Sequence, residues 1–232
     1  MALIDSFIFG AYWGSRAETL SEIVDKTSYT LTALREADGQ FANYYRGGMG
    51  RKKALEQEVL LDEDSIRKLC LTMTKRGELD ANGFAKMGFL FGVWTGQKDD
   101  ESSAVSFTAG HAFETSNLSN CCVINLPAEG PARTRLLQPE ISRKILEIMV
   151  RTWNPDYAVL TSSFLRERLN VGNELGWMSY KKQIKTLPKL SGNINHENDA
   201  LGHWFYLDPL VESIDSAVNQ LRPLSFDTNY QH

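Results

Sequence analysis

The chain is poor in cysteine, and the three it has are badly placed for chemistry. Cys70, Cys121 and Cys122 are an odd number with one adjacent pair, which makes a weak disulfide framework. No Cys-x-x-Cys spacing occurs, so they read as reduced, mostly buried thiols. Long apolar runs are also missing: nothing approaches the ~18–20 residues of a membrane span. The opening Met1-Ala2-Leu3-Ile4-Asp5 lacks a basic start and is interrupted by Asp5, unlike a signal peptide. A cytoplasmic location is the expectation from both. Positive charge is not in excess either. The 29 acids outnumber the 25 bases, for a net charge of −4. A surface that tracks nucleic acid would need a basic footprint, so neither nucleic acid nor membrane is expected as a partner.

Catalytic signatures are absent in turn. There is no Gly-x-x-x-x-Gly-Lys-Ser/Thr loop, no Gly-x-Ser-x-Gly elbow and no His-Glu-x-x-His pair. Pro155-Asp156 resembles the first half of a nuclease metal site, which needs a second acid two residues before a lysine. No lysine has an Asp or Glu at that position, and Pro155 reads instead as a helix stop. No cofactor and no metal are expected. An enzyme of unrecognised type would have to draw on His111, Cys122 or Asp156, and a homodimeric scaffold is a further alternative.

What is present is an ordinary globular pattern. A chain of 232 residues can bury about 70–75% of its unfolded surface without a metal or disulfide. Phe7 to Trp13 reads as a central strand. Ser15 and Glu18 fit a capping box, followed by a helix with Leu20, Ile23, Val24, Thr27, Leu31 and Leu34 on one stripe, ending at a left-handed Gly39. Gly47 to Gly50 reads as a flexible turn. Asp62 caps a second helix with Ile66, Leu69, Cys70 and Met73 inward. Alternation from Phe84 to Trp94 predicts a strand with Met87, Phe89, Phe91 and Val93 on one side. The polar loop 95–103 joins it to Val105, Phe107 and Ala109, and Cys121 to Leu126 completes a meander. Pro139 opens a third helix through Trp153. Short strands follow at 157–160, 177–180 and 201–207. A last helix follows Pro209, with Val211, Ile214, Val218 and Leu221 inward. Helices and strands do not alternate strictly, which predicts an α+β fold: a mostly antiparallel sheet packed by about four helices. The halves echo each other loosely, which raises a weak pseudo-repeat. One domain is expected over 1–224, with a polar tail at 225–232.

Charge and aromatics supply the binding candidates. Five acids fall between Glu56 and Asp64 without a base, and Asp99, Asp100 and Glu101 occupy a hairpin tip, whereas Lys181, Lys182, Lys185 and Lys189 form a basic stretch. Solvated faces and helix-dipole acids account for part of this, Glu63 and Asp64 especially. A tip with three acids is also suited to plug a basic cleft. Asp99, Asp100, Glu101, Glu58, Asp62 and Glu63 are therefore the candidate partner-binding acids. Tyr44 and Tyr45 join them because tyrosine is enriched in hot spots, although one of the two is expected in the core. The five tryptophans read mostly as core.

Several blocks, taken in order, resemble the immunity protein 52 family of bacterial polymorphic-toxin systems. They are Gly10-Ala11-Tyr12-Trp13-Gly14-Ser15-Arg16-Ala17-Glu18-Thr19-Leu20, Phe41-Ala42-Asn43-Tyr44-Tyr45-Arg46-Gly47-Gly48, Arg51-Lys52-Lys53-Ala54-Leu55, Gly88-Phe89-Leu90-Phe91-Gly92-Val93-Trp94, Trp153-Asn154-Pro155-Asp156-Tyr157-Ala158 and Val171-Gly172-Asn173-Glu174-Leu175-Gly176-Trp177-Met178-Ser179-Tyr180. Tyr12, Trp13, Gly14, Trp94, Gly176 and Trp177 carry the motif. Departures concentrate between Lys181 and Asp199. The resemblance implies a cytoplasmic antidote that binds and neutralises a cognate toxin, with partners that include restriction-endonuclease-fold DNases delivered by the type VI secretion system. It implies no enzymatic activity and no cofactor.

Overall fold

The computed structural model describes residues 4–47, 50–74, 78–112, 120–170, 174–190 and 192–224. In chain order these form β1 (Phe7–Trp13), α1 (Leu20–Ala37), a 3-10 turn (Gly39–Phe41), α2 (Arg51–Leu55), α3 (Glu63–Cys70), β2 (Phe89–Trp94), a second 3-10 turn (Asp99–Glu101), β3 (Ala104–Ala109) and β4 (Asn120–Asn125). Then come α4 (Pro131–Leu136), α5 (Pro139–Trp153), β5 (Tyr157–Ser162), α6 (Ser163–Leu169), β6 (Met178–Lys181), β7 (Asn195–Asn198), β8 (His203–Tyr206) and α7 (Ile214–Leu221). The eight strands make one sheet in the order β2-β3-β4-β1-β5-β6-β8-β7, with every neighbouring pair antiparallel. The fold is α+β, as the pattern predicts. Part of the turn expected at 47–50 and the whole 225–232 tail lie outside the described residues.

Four helices were legible from periodicity, and they are α1, α3, α5 and α7. The remaining three, α2, α4 and α6, have five, six and seven residues. That is two turns or fewer, too short for a 3.6-residue period to repeat. The echo between the halves does not extend to connectivity. Outward from the centre the strands run β1-β4-β3-β2 on one side and β5-β6-β8-β7 on the other.

Alternation along β1 sends Phe7, Phe9, Ala11 and Trp13 into the core. That core takes the whole stripe of α1, with Leu20, Ile23, Val24, Thr27, Leu31 and Leu34 buried. From α5 it takes Ile145, Leu146, Met149 and Trp153. Burying each of the Leu, Ile, Val, Phe and Met side chains among them contributes roughly 1.5–3 kcal/mol. At β5 the sheet is buried on both faces, Val159 and Thr161 as well as Ala158 and Leu160. Gly176 lies against it so closely that a Cβ there would overlap Leu160 O and fall 2.6 Å from Val159 Cγ2. Only glycine permits that approach. Among the described residues no helix is long and apolar enough to cross a membrane.

Several local expectations are corrected. The capping box is formed by Thr19 and Glu22, not Ser15 and Glu18. Thr19 Oγ1 accepts from Glu22 N and Glu22 Oε2 accepts from Thr19 N. Glu18 is instead buried between Arg16 and Lys26. Gly39 is not left-handed. The helix stops at extended Asp38, whose Oδ1 accepts from Gln40 N and starts the 3-10 turn. Met73 and Val211 are exposed because α3 ends at Cys70 and α7 begins at Ile214. Met87 is exposed because β2 begins only at Phe89. The expected helix stop at 154–156 is present, with Asn154 in the left-handed conformation.

Candidate functional site

The acidic hairpin tip is held rigidly by its backbone. Thr95 N donates to Ser103 O at 2.9 Å, and Ser103 N donates back to Thr95 Oγ1 at 2.9 Å. Asp100 O accepts from Ala128 N at 2.7 Å. Glu101 O accepts from Nε2 of buried Gln40 at 2.8 Å, while Gln97 Nε2 donates to Gln40 O. The tip is thus bound to the segment before α4 on one side and to the turn after α1 on the other. The main-chain carbonyls of Asp100 and Glu101 are thus taken up within the fold, while both residues remain exposed. Such an arrangement can meet a partner at little cost in ordering entropy.

Tyr45 extends the same corner. Its N–H donates to Trp94 O at 2.9 Å and Trp94 N donates to Tyr45 O at 3.0 Å, while Val59 N donates to Tyr44 O. A short bridge therefore runs from the edge of β2 to the 57–59 segment. The Tyr45 and Trp94 rings lie 6.0 Å apart. Gly96, at φ +81, passes so close that a Cβ would sit 2.5 Å from Tyr45 Cε2. Glu58 is exposed opposite Tyr45.

Other candidates are engaged within the fold. Tyr44 is fully buried and its hydroxyl donates to Leu31 O at 2.8 Å. It is a core side chain, and burial pushes its phenol well above the ordinary range. Asp62 caps α3 by accepting from Ser65 N and Ser65 Oγ, which holds its carboxyl below the usual range. Glu63 pairs with Arg67 one turn on. The acids at 56–64 are also less alone in space than in sequence. Arg46 and Lys68 line a cleft of about 310 Å³ together with Glu58.

The basic stretch divides as well. Lys181 is not part of a solvated face. It is 3% exposed, paired with Glu174, and its ammonium lies 4.9 Å from the Tyr157 ring centre. Burial pulls its pKa down, against the pull upward of Glu174 and Asp156.

Of the residues that carry the family motif, Tyr12, Trp13 and Gly14 lie at the middle of the sheet, Gly176 and Trp177 lead into β6, and Trp94 ends the outer strand β2. Tyr12 stacks on Tyr157 with centroids 5.0 Å apart, and Trp13 stacks on Trp153 at 5.3 Å on the other face. Gly14 N donates to Asp156 Oδ2 and Gly14 O accepts from Asn120 Nδ2. Trp94 Nε1 donates to Arg46 O. Trp177, beside Gly176, is buried, and its carbonyl accepts from Leu207 N. These positions hold the architecture together.

The trio available for an unrecognised enzyme is dispersed among structural tasks. Cys122 is sealed in the core, where burial drives its thiol far up. His111 is buried, with its main-chain N–H and C=O both bonded to Asn120. Asp156 is bonded to Gly14. Among the described residues no group of three or more His, Cys, Asp or Glu could hold a metal ion.

Sequence reasoning missed a histidine pair, because β7 is too polar to read as a strand. His196 Nε2 and His203 Nδ1 lie 3.3 Å apart across β7 and β8. A hydrogen bond at that distance needs one of the two nitrogens to accept, so both cannot carry a proton. Burial, then the neighbouring His203, push the His196 pKa below 6.5, while Glu197 pulls it up. A histidine depressed in the native state contributes stability that is complete above its unfolded value and lost as pH falls through the folded one. Amide exchange at Asn195–Asn198, corrected for its intrinsic rate, is therefore expected to accelerate as pH drops below about 6.5. A flat profile would contradict this.

Comparison with known proteins adds the remaining fact. No curated protein matches the chain. The model of the family described as immunity protein 52 matches residues 5–200. That span runs from β1 through β7 and includes the acidic tip, the Tyr45 bridge and the central aromatic stacks, so the chain belongs to the immunity protein 52 family.

Proposed function

We propose that this immunity protein acts in the cytoplasm, binding its cognate toxin domain directly and neutralising it without catalysis. The toxin class that fits best is a restriction-endonuclease-fold DNase delivered by the type VI secretion system. Membership of the family implies a protein partner, a toxin. The observation that carries the finer reading is the tip itself. Asp100 and Glu101 stand exposed on a turn whose backbone is fastened at Ala128 and Gln40. A DNase cleft built to take phosphates is basic, and a preorganised acidic protrusion complements it and speeds encounter.

The test is co-expression with the toxin encoded by the adjacent gene. The wild-type chain should rescue growth and co-purify with the toxin. Reversing Asp99, Asp100 and Glu101 to lysine should weaken binding by at least about 2 kcal/mol, roughly 30-fold. Calorimetry showing unchanged affinity would remove the tip as a contact. Failure of the wild-type chain to rescue or co-purify would remove the toxin-binding reading altogether.

A further inference from the structure

At the sheet edge opposite the tip, α5 and strands β6, β8 and β7 enclose a cleft of about 290 Å³. Its lining combines Met178, Tyr206 and Pro139 with the carboxylates of Glu140 and Glu197. The cation already there, Arg143, is spoken for. Its guanidinium lies 3.6 Å from the centre of the Trp204 ring and bonds Glu147 at 2.8 Å, Glu197 at 3.2 Å and Asp199 at 2.7 Å. Glu140 is exposed, and Glu197 keeps 73% of its side chain in solvent. Two carboxylates, Glu140 and Glu197, line the cleft against the one cation, Arg143. Apolar lining beside exposed carboxylates is the environment that a long cationic side chain satisfies, with its methylenes against the former and its charge at the latter.

We propose that this cleft seats one lysine or arginine side chain of the toxin, as an anchor separate from the acidic tip. The inference rests on the toxin-binding reading and deepens it. Seven inter-strand spacings of ~4.8 Å separate β2 from β7, so the two surfaces can be tested one at a time.

The experiment is calorimetry of the full chain against the toxin encoded beside it, with Glu140→Lys as the probe and Glu167→Lys on α6 as a charge-matched control. Glu140→Lys should weaken binding about tenfold near 0.1 M salt, with the deficit shrinking as salt rises; the control should stay within about twofold. If Glu140→Lys melts below wild type, Glu140→Gln decides instead, with an expected loss of about threefold. Reversing the charge of the anchoring toxin residue should restore affinity for Glu140→Lys. A cleft variant that melts normally and binds as tightly as wild type overturns the anchor while leaving toxin binding intact. No binding by the wild-type chain would overturn both.

Discussion

Replacing Trp153 with alanine is expected to destabilise the fold by about 3–5 kcal/mol. Trp153 ends α5 fully buried. One side of its ring stacks on Trp13 of β1 at 5.3 Å, and Phe107 of β3 meets it at 5.5 Å. Its indole N–H donates to Thr30 Oγ1 of α1 at 3.0 Å, and its carbonyl accepts from Arg16 at 2.8 Å. One side chain thus joins two helices and two strands. Its truncation removes the largest kind of apolar burial and leaves a cavity that four elements would have to collapse around. For a domain of this size the melting temperature should fall by about 6–20 °C. Trp153→Phe should cost less, since it keeps one aromatic ring in the stack and loses the hydrogen bond to Thr30 and a smaller volume than alanine does. Thermal unfolding of the two variants decides the matter: if alanine costs no more than phenylalanine, the four-element junction is not where the stability lies.

The Lys181–Glu174 pair should respond asymmetrically. Glu174→Gln leaves the Lys181 ammonium buried, with weaker support from the Tyr157 ring and from Asp156. Stranding a buried charge typically costs about 3–5 kcal/mol, and the low end applies here because Glu174 is partly solvated. Lys181→Met removes the charge and keeps an unbranched chain in the same space. Glu174, with 24% of its side chain exposed, can then turn to water, and the expected loss is within about 1 kcal/mol. Adding Lys181→Met to Glu174→Gln should recover most of the lost stability. Denaturant titration of the three variants tests this, and equal losses for the two single substitutions would contradict it.

That pair also marks where reading the chain as a string fails. Lys181 sits in a run with Lys182, Lys185 and Lys189, and charge runs are usually solvated. Nothing local announces that β6 lies between β5 and β8 and is buried throughout, four residues out of four. The same holds for the acids at 56–64, which are unopposed along the chain but share a cleft with Arg46 and Lys68 in space. Tyr44 and Tyr45 are adjacent and alike. Alternation across a bridge to β2 puts one in the core and leaves the other beside Trp94.

Period and punctuation did determine a good deal. Phe7–Trp13 is a strand because seven apolar and aromatic residues in extended form can fill both faces of a central position. The stripe from Leu20 to Leu34 is buried because one face of a helix of this length has to be. Asp62, Pro139 and Asn154-Pro155 set helix ends through groups that act within a turn or two. The motif residues Tyr12, Trp13, Gly14, Gly176 and Trp177 also identified the family from the chain alone. Tertiary structure decided what needs partners far apart in sequence: the order of the eight strands, the burial of Lys181, the fastening of the acidic tip by Gln40 and Ala128, and the cleft between α5 and the β7–β8 edge. Local periodicity reports the free energy of a single element and its water. Which charges stay in that water depends on what the other elements bring against them.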